Sequence, residues 1–410
     1  MSRLINIIEA IVFLDLLAVG LIVPHVGNYV RSLGGNHVYV GLLGSIYAIF
    51  QLVSGPLVGS LSDIKGRKAV LSITLLASSF GYAMMGLTSS IFVILMCRAL
   101  LGIFKQTQLL GRALVPDYET DKVRQSVIYG KMAALSSGGM TLGPLISGHI
   151  VEDYPQYGFQ IIAALVSLCF VINSGLVTLL PNTITQEKPA EKKTGTSSVL
   201  QNITVSAKQS FLQLYSVSWS QYWDVFLLKA LVSFAMGVYY SNYSVYLQYQ
   251  YNLGIKYVGY IISFQGTIGF IASYFMGNIN ALYKTDSDYT QRNFHVFLIL
   301  SVSIIGIVLS FNVYLYIICL IPLAIGNAIG RLVTLEMILS RSKGEHRGML
   351  IGASNSTRSL TGVVAPMAAG LIGHYLDVTF VIYVSLFSTM LGCVLSYSLT
   401  KKAERLKKVK

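Results

Sequence analysis

The chain has 410 residues, of which 54% are hydrophobic and only 11% charged, with a mean hydropathy of +0.63. That balance excludes an ordinary soluble domain and puts the membrane class first. The formal net charge of +13 raises a nucleic-acid partner, but the cations sit between apolar runs, which argues against one.

A helix that crosses the hydrocarbon layer needs about 20 apolar residues. About twelve windows qualify by hydropathy. In chain order they are 5–30, 38–60, 70–88, 90–113, 125–152, 158–180, 224–250, 256–280, 293–311, 313–338, 347–373 and 378–400. They lack the period-two alternation of membrane strands. The expected fold is therefore an all-α membrane protein of twelve transmembrane helices in two six-helix bundles. Its expected parts are an N-terminal bundle (1–180), a cytosolic linker (181–223), a C-terminal bundle (224–400) and a basic tail (401–410).

The first window, "FLDLLAVGLIVP", buries Asp15. A charge at membrane depth costs about 2.5–3.5 kcal/mol even on the lenient insertion scale, so it faces a polar cavity or a partner. In a partly dry site the carboxyl becomes a proton carrier; alternatively Asp15 is held in a permanent salt bridge to a lysine such as Lys105 or Lys131. The second window ends in "GSLSDIKGRKAV", four charges in six positions. Here Gly59 allows close helix approach and Gly66 a tight turn. Arg67 and Lys68 can bind carboxylates or anionic lipid, and Asp63 can face a helix N-terminus. The alternative is a plain topology determinant made of inside charges.

The fourth window places Arg98, Lys105 and Arg112 seven apart, a stripe about 21 Å long on a continuous helix. Arg112 lies near the cytosolic end, Arg98 either snorkels or turns inward, and Lys105 is expected to face the interior beside Gln106. In the fifth, Lys131 follows Arg124 by seven, and "GGMTLGP" presents Gly139 and Gly143 as a smooth packing stripe before the kink-forming Pro144.

The polar interruption "PNTITQEKPAEKKTGTSSVLQN" reads as a flexible linker, and "ITVSAKQSFLQLYS" as a short surface helix. The seventh window carries Lys229 and a tyrosine run. Tyr249, Tyr251 and, just beyond, Tyr257 fit an interfacial belt. Tyr239, Tyr240, Tyr243 and Tyr246, with Asn242 and Gln265, either line a cavity for an amphipathic molecule or simply pack. Arg331 and Glu336 fall in the tenth window, Arg358 and Pro366 in the eleventh. Cations outnumber acids in the core. Either the acids are shared in an ion-pair network, or the cavity receives an anionic substrate.

Lys65, Arg67, Lys68, Lys122, Arg124, Lys188, Lys284, Arg341, Lys343 and the tail "KKAERLKKVK" fall on one side, against Arg31 and Lys256 on the other. That positive-inside bias puts both termini in the cytosol of a multi-pass membrane protein. The tail also suits anionic headgroups of the membrane lipids. No cleavable signal peptide is visible. Cys97, Cys169, Cys319 and Cys393 lie inside windows, so neither a disulfide nor a metal site is expected. The six histidines are scattered near window ends, with no converging set for catalysis.

Aligning Pro144 with Pro366 also brings Gly148 onto Gly370 and Arg124 to within one position of Arg347. Such internal duplication is usual in secondary transporters. "GSLSDIKGRK" resembles the signature between spans two and three of the major facilitator superfamily, with Gly59, Asp63, Gly66, Arg67 and Lys68 matching and Ile64 departing. "GGMTLGP" resembles the family's antiporter motif, and "FLDLLAVGLIVP" is similar to the first span of tetracycline/proton antiporters. "GIFKQTQLLGRALVPD" looks most like the animal orphan branch termed major facilitator superfamily domain-containing protein nine. The resemblance implies a cytosolic clasp in which Asp117 pairs with Arg67. It implies a transporter and not an enzyme, without cofactor, monomeric, exchanging a small organic solute for protons by alternating access. A facilitator or proton symporter of a metabolite or organic anion shares every architectural signal. A non-transporting scaffold ranks below both, because no loop is long enough for a folded extramembrane domain.

Overall fold

The computed structural model describes residues 2–181, 219–283, 286, 288–341 and 347–409. Among these residues there is helix and no strand. The helices are α1 (Ser2–Ser32), α2 (His37–Lys65), α3 (Arg67–Leu87), α4 (Ile91–Phe104), α5 (Thr107–Tyr118), α6 (Lys122–Asp153) and α7 (Gly158–Thr178). They continue with α8 (Trp219–Tyr251), α9 (Ile255–Tyr274), α10 (Met276–Ala281), α11 (Thr290–Val308), α12 (Val313–Ser340), α13 (Arg347–Tyr375) and α14 (Phe380–Val409). With α4 and α5 as two halves of one span and α10 as a short continuation of α9, these make the twelve expected helices. Most of the linker and the surface helix read in the sequence lie outside the described residues, as do Lys284, Lys343 and His346.

Two features depart from the sequence reading. The fourth span is broken at Lys105 and Gln106, so the continuous stripe of Arg98, Lys105 and Arg112 does not exist. The tail is not a separate element either: α14 continues through it to Val409. Among the described residues nine spans, with α4 and α5 counted as one, are long and apolar enough to cross a membrane by composition; α6, α9 and α13 are not among them. Their glycines, hydroxyls, amides and cations lower hydropathy where helices must pack closely.

The chain divides into two compact units: residues 1–33 with 46–212, and residues 34–45 with 213–410. The first turns of α2 thus group with the second unit and its remainder with the first, a division no composition shift marks. In the first unit α1 packs on α6 and α7, and α3 on α7 and α4. The same pairing recurs in the second, where α8 packs on α13 and α14, and α11 on α14 and α12. Side-chain hydroxyls stitch these pairs, as interhelical polar contacts do inside membranes: Ser72 with Ser174 at 2.8 Å, Ser79 with Ser167 at 2.8 Å, and Ser385 and Ser388 donating to the Ala235 and Leu231 carbonyls.

The glycine stripe of α6 permits backbone-to-backbone packing on α1. A β-carbon at Gly143 would lie 2.3 Å from the Gly20 carbonyl carbon, and one at Gly139 would lie 2.7 Å from the Phe13 oxygen. In α13 the residue equivalent to Gly143, Ala365, packs on α8, where a β-carbon at Gly237 would lie 2.8 Å from its own, and a glycine further along approaches the start of α2. A β-carbon at Gly370 would fall 2.7 Å from the His37 oxygen at the start of α2, and one at Gly41 would strike the Pro366 oxygen at 2.5 Å.

The outward side of the helices is apolar. On α14, Phe387, Met390, Leu391 and Val394 are exposed at i, i+3, i+4 and i+7, an apolar stripe turned away from the core. Such a face suits hydrocarbon and not water, which agrees with an integral membrane protein.

Candidate functional site

The core of the first unit is apolar around Ile8, Ile11, Leu71, Leu75 and the stacked pair Tyr82–Phe170 at 5.3 Å. Within it lies Asp15, fully buried on α1. Lys105 Nζ stands 3.2 Å from each carboxylate oxygen, and Gln108 Nε2 donates to Oδ2 at 3.0 Å. Ser136 on α6 donates to Gln108 Oε1 at 3.3 Å, so one hydrogen-bonded set ties α1, α5 and α6 to the break.

The break itself places the lysine. Lys105 ends α4 at φ −75°, ψ 70°, and its N–H still reaches Leu101 O at 2.8 Å. Interrupting a membrane helix frees carbonyls that have no water to turn to, so neighbouring side chains must satisfy them. Two polar residues of α2 do so. Ser54 donates to Gly102 O at 3.0 Å, and Gln51 Nε2 reaches Lys105 O at 3.4 Å. Gln106 returns the contact, donating to Ser54 Oγ at 2.9 Å and Gln51 O at 3.3 Å. Gly102 lets α2 come this close: a β-carbon there would strike Tyr47 O at 2.5 Å.

The other cations of this unit divide. Arg98 is buried with its guanidinium 5.8 Å from the Tyr47 ring centroid and its Nε without a hydrogen bond among the described residues. It is an inward group and does not snorkel. Arg112 is exposed, as its place near the end of the span suggested. Lys131 is exposed and joins no ion pair among the described residues, so it is not the partner of Asp15. His25, one of the histidines near a window end, is buried and shares a 2.7 Å hydrogen bond with Ser147.

Between α2 and α3 the chain turns at Gly66, whose φ of 93° and ψ of 129° suit glycine and penalise any side chain. The turn aims Arg67 at α5, where Nη1 donates to Asp117 at 2.7 Å and to Ala113 O at 2.6 Å. Asp63 also accepts from Arg67, at 3.1 Å, and does not cap a helix here. Lys68 holds no carboxylate among the described residues; it donates to the Thr178 and Leu180 carbonyls at the end of α7, where the helix dipole favours a cation. At Gly59 a β-carbon would have Leu109 at 4.0 Å, an ordinary contact, so the expected close approach is not made there.

In the second unit Lys229 is buried, 3.4 Å from Arg331 O and 3.3 Å from Thr334 Oγ1. The tyrosine run splits. Tyr239 packs inward and shares a 2.6 Å hydrogen bond with Tyr316, while Tyr243 and Tyr246 stay buried beside it. Asn242 donates to Ala369 O at 3.2 Å and so belongs to helix packing. These residues line only a small cavity, with room for about one water. Of the four deeper tyrosines, Tyr240 is the exposed one, accepting from Gln265 and Asn327 at 3.1 Å each. Glu336 is half-buried, and its Oε2 has no hydrogen-bond partner among the described residues.

The sequence reading named Asp15, Lys105 and Gln106 but missed Gln51, Ser54, Gln108 and Ser136. Each is a polar residue in an apolar run, a weak signal that only the break turns into a set.

Comparison with known proteins agrees with this architecture. The class E tetracycline resistance protein of Escherichia coli is 31% identical over 176 residues, covering 42% of this chain and 43% of that one. The chain thus spans under half the length of that relative. The quinolone resistance protein NorA of Staphylococcus aureus (strain MRSA252) is 22% identical over 380 residues, covering 91% of this chain and 90% of NorA. Among solved structures, the human organic anion transporter MFSD10 (TETRAN) superposes with a TM-score of 0.64 at 17% identity, over 96% of this chain and 99% of that one. A bacterial homolog of the human lysosomal transporter Spinster gives 0.76 at 12% identity, over 98% and 97%. Residues 9–285 match the Major Facilitator Superfamily. The chain belongs to that superfamily, whose members are transporters and not enzymes.

Proposed function

We propose that this transporter is a proton-coupled antiporter of a small organic solute, working by alternating access with both termini in the cytosol. The observation that carries the reading is the buried pair of Asp15 and Lys105 at the break in the fourth span. A proton taken up by Asp15 removes the counter-charge of Lys105, and a buried unpaired ammonium is costly. Protonation therefore favours a conformation in which Lys105 finds water or another acceptor, and deprotonation restores the pair. Gln108, in the first turn of α5, orients the carboxylate through a 3.0 Å hydrogen bond. The antiporter-like "GGMTLGP" and the names of the tetracycline- and quinolone-resistance relatives support an organic, drug-like solute. The stretch around the break, "GIFKQTQLLGRALVPD", supports a place in the orphan branch it resembles.

The test is solute flux in proteoliposomes under an imposed pH gradient. Wild-type flux should follow the gradient, and Asp15→Asn should lose gradient-driven flux while retaining the fold. Flux that ignores the gradient would leave the downhill carrier as the correct reading.

A further inference from the structure

We infer that Tyr397, Lys401 and Arg405 on α14 form a binding site for the anionic headgroup of a membrane phospholipid, whatever solute the transporter carries. The helix has two unlike sides. Ile382, Ser385, Thr389 and Ser396 are buried and turn to the core. Phe380, Tyr383, Phe387, Val394 and Tyr397 are exposed along the opposite side, at spacings of three, four and seven. Lys401 and Arg405 are exposed in their turn, and α14 runs unbroken through both to Val409. Seven and eleven residues beyond Val394, they fall within about 20° of it around the helix axis. Their side chains therefore leave the helix in the direction of the apolar face. Lys402 falls about 80° to one side of that line.

Depth agrees with direction. From Phe380 to Lys401 the helix rises about 32 Å, close to the thickness of the hydrocarbon layer, and Arg405 lies about 6 Å further on. With the aromatic pair Phe380 and Tyr383 at one boundary, Lys401 reaches the headgroups at the other. Tyr397 marks that second boundary. Its ring centroid lies 5.4 Å from that of Phe294 on α11, and Lys401 Nζ sits 4.6 Å from it on the other contact. The ring orients the ammonium without using its N–H donors. Neither Lys401 nor Arg405 joins an ion pair or a hydrogen bond to a carboxylate among the described residues. Like charges four apart on a helix repel, and an anion between them relieves that repulsion.

A phospholipid fits both parts of this surface at once. Its phosphate accepts from the ammonium and from the forked guanidinium, while its acyl chains lie along Val394, Leu391 and Phe387. A soluble phosphate meets only the charged part. A zwitterionic lipid brings its own cation beside the phosphate and gains less from Lys401 and Arg405. Charge complementarity thus selects an acidic lipid, and the apolar stripe selects a lipid over a free anion.

The experiment is a thermal-shift titration of the purified full-length protein in a non-ionic detergent at constant ionic strength. The probes are phosphatidylglycerol, phosphatidylcholine and inorganic phosphate, with each variant's lipid-free melt as its own baseline. Phosphatidylglycerol should raise the melting temperature saturably, well above the response to the other two. Lys401→Gln and Arg405→Gln should each weaken its apparent affinity about fivefold. Lys402→Gln removes the same charge from the same tail but from another side of the helix, and should keep most of the affinity. Equal losses in Lys401→Gln and Lys402→Gln would reveal a diffuse basic tail and overturn the site. A phosphate response equal to that of phosphatidylglycerol would overturn the lipid as its occupant. No saturable response to phosphatidylglycerol, or an equal one to phosphatidylcholine, overturns the proposal outright.

Discussion

The two units each bury a lysine almost completely, Lys105 at 8% exposed and Lys229 at 6%, and surround it differently. Lys105 meets Asp15 at 3.2 Å and is held by a broken helix that α2 repairs. Lys229 lies on an unbroken helix and among the described residues hydrogen-bonds only to a carbonyl and a hydroxyl. A shared fold therefore does not imply a shared site. The duplicated frame holds one lysine in a closed ion pair and the other, among the described residues, with no carboxylate within ion-pair distance.

The largest way to break this comparison is to make the first lysine resemble the second. Asp15→Asn leaves Lys105 without its counter-charge, and breaking a buried pair from one side costs about 3–5 kcal/mol. The melting temperature in detergent should fall accordingly. Removing both charges in Asp15→Asn/Lys105→Met should restore most of the stability without restoring coupled flux. If the single variant is as stable as the wild type, Asp15 is already protonated and the pair is not an ion pair.

The duplicated frame is tested at its glycines. Gly143→Ala drives a β-carbon into the Gly20 backbone at 2.3 Å, and overpacking of this kind costs about 1–3 kcal/mol. Gly138→Ala, one turn away from that contact and with nothing within 4 Å of the new carbon, should be neutral or slightly stabilising. Equal effects in thermal melts would show that α1 and α6 do not pack this closely.

These glycines also show what was legible beforehand. Window ends, the α6 stripe and the Arg67–Asp117 pair follow from local pattern or family signature, because hydropathy and close packing are written in neighbouring residues. The break at Lys105 is not legible, since neither proline nor glycine marks it: Gly102 lies three residues earlier, and the interruption is stabilised by Gln51 and Ser54 from another helix. Nor was the sorting of cations. Lys131 and Lys105 look alike in sequence, but only Lys105 reaches Asp15, because the break changes its direction.

A smaller effect sharpens the contrast from the other side. Lys229→Met replaces an ammonium without a counter-charge by an apolar chain of similar length. It should be neutral or raise stability by about 1 kcal/mol, opposite in sign to Asp15→Asn. A marked loss in the melting temperature would show that Lys229 is structurally paired and would weaken the contrast between the lysines.

The smallest effect compares the equivalent short connections that precede the last helix of each unit. Before α7 the chain reads "YPQY", and Tyr157 caps the helix with no side-chain hydrogen bond. Before α14, Asp377 accepts from the Thr379 N–H at 2.9 Å, from its hydroxyl at 3.1 Å and from Tyr249. The backbone N–H of Thr379, first among these, holds the Asp377 carboxyl below the ordinary carboxylate range. A carboxyl whose folded pKa is depressed adds stability that is fully present above its unfolded value and is lost as the pH falls through its folded value. Asp377→Asn should therefore lower stability near neutral pH, by less than about 1 kcal/mol because the group is accessible to solvent. The deficit should vanish once the wild-type carboxyl is itself protonated in acid. Melting temperatures of the two proteins measured from pH 7 downward should converge, and curves that stay parallel would show that the carboxylate charge contributes nothing to this turn.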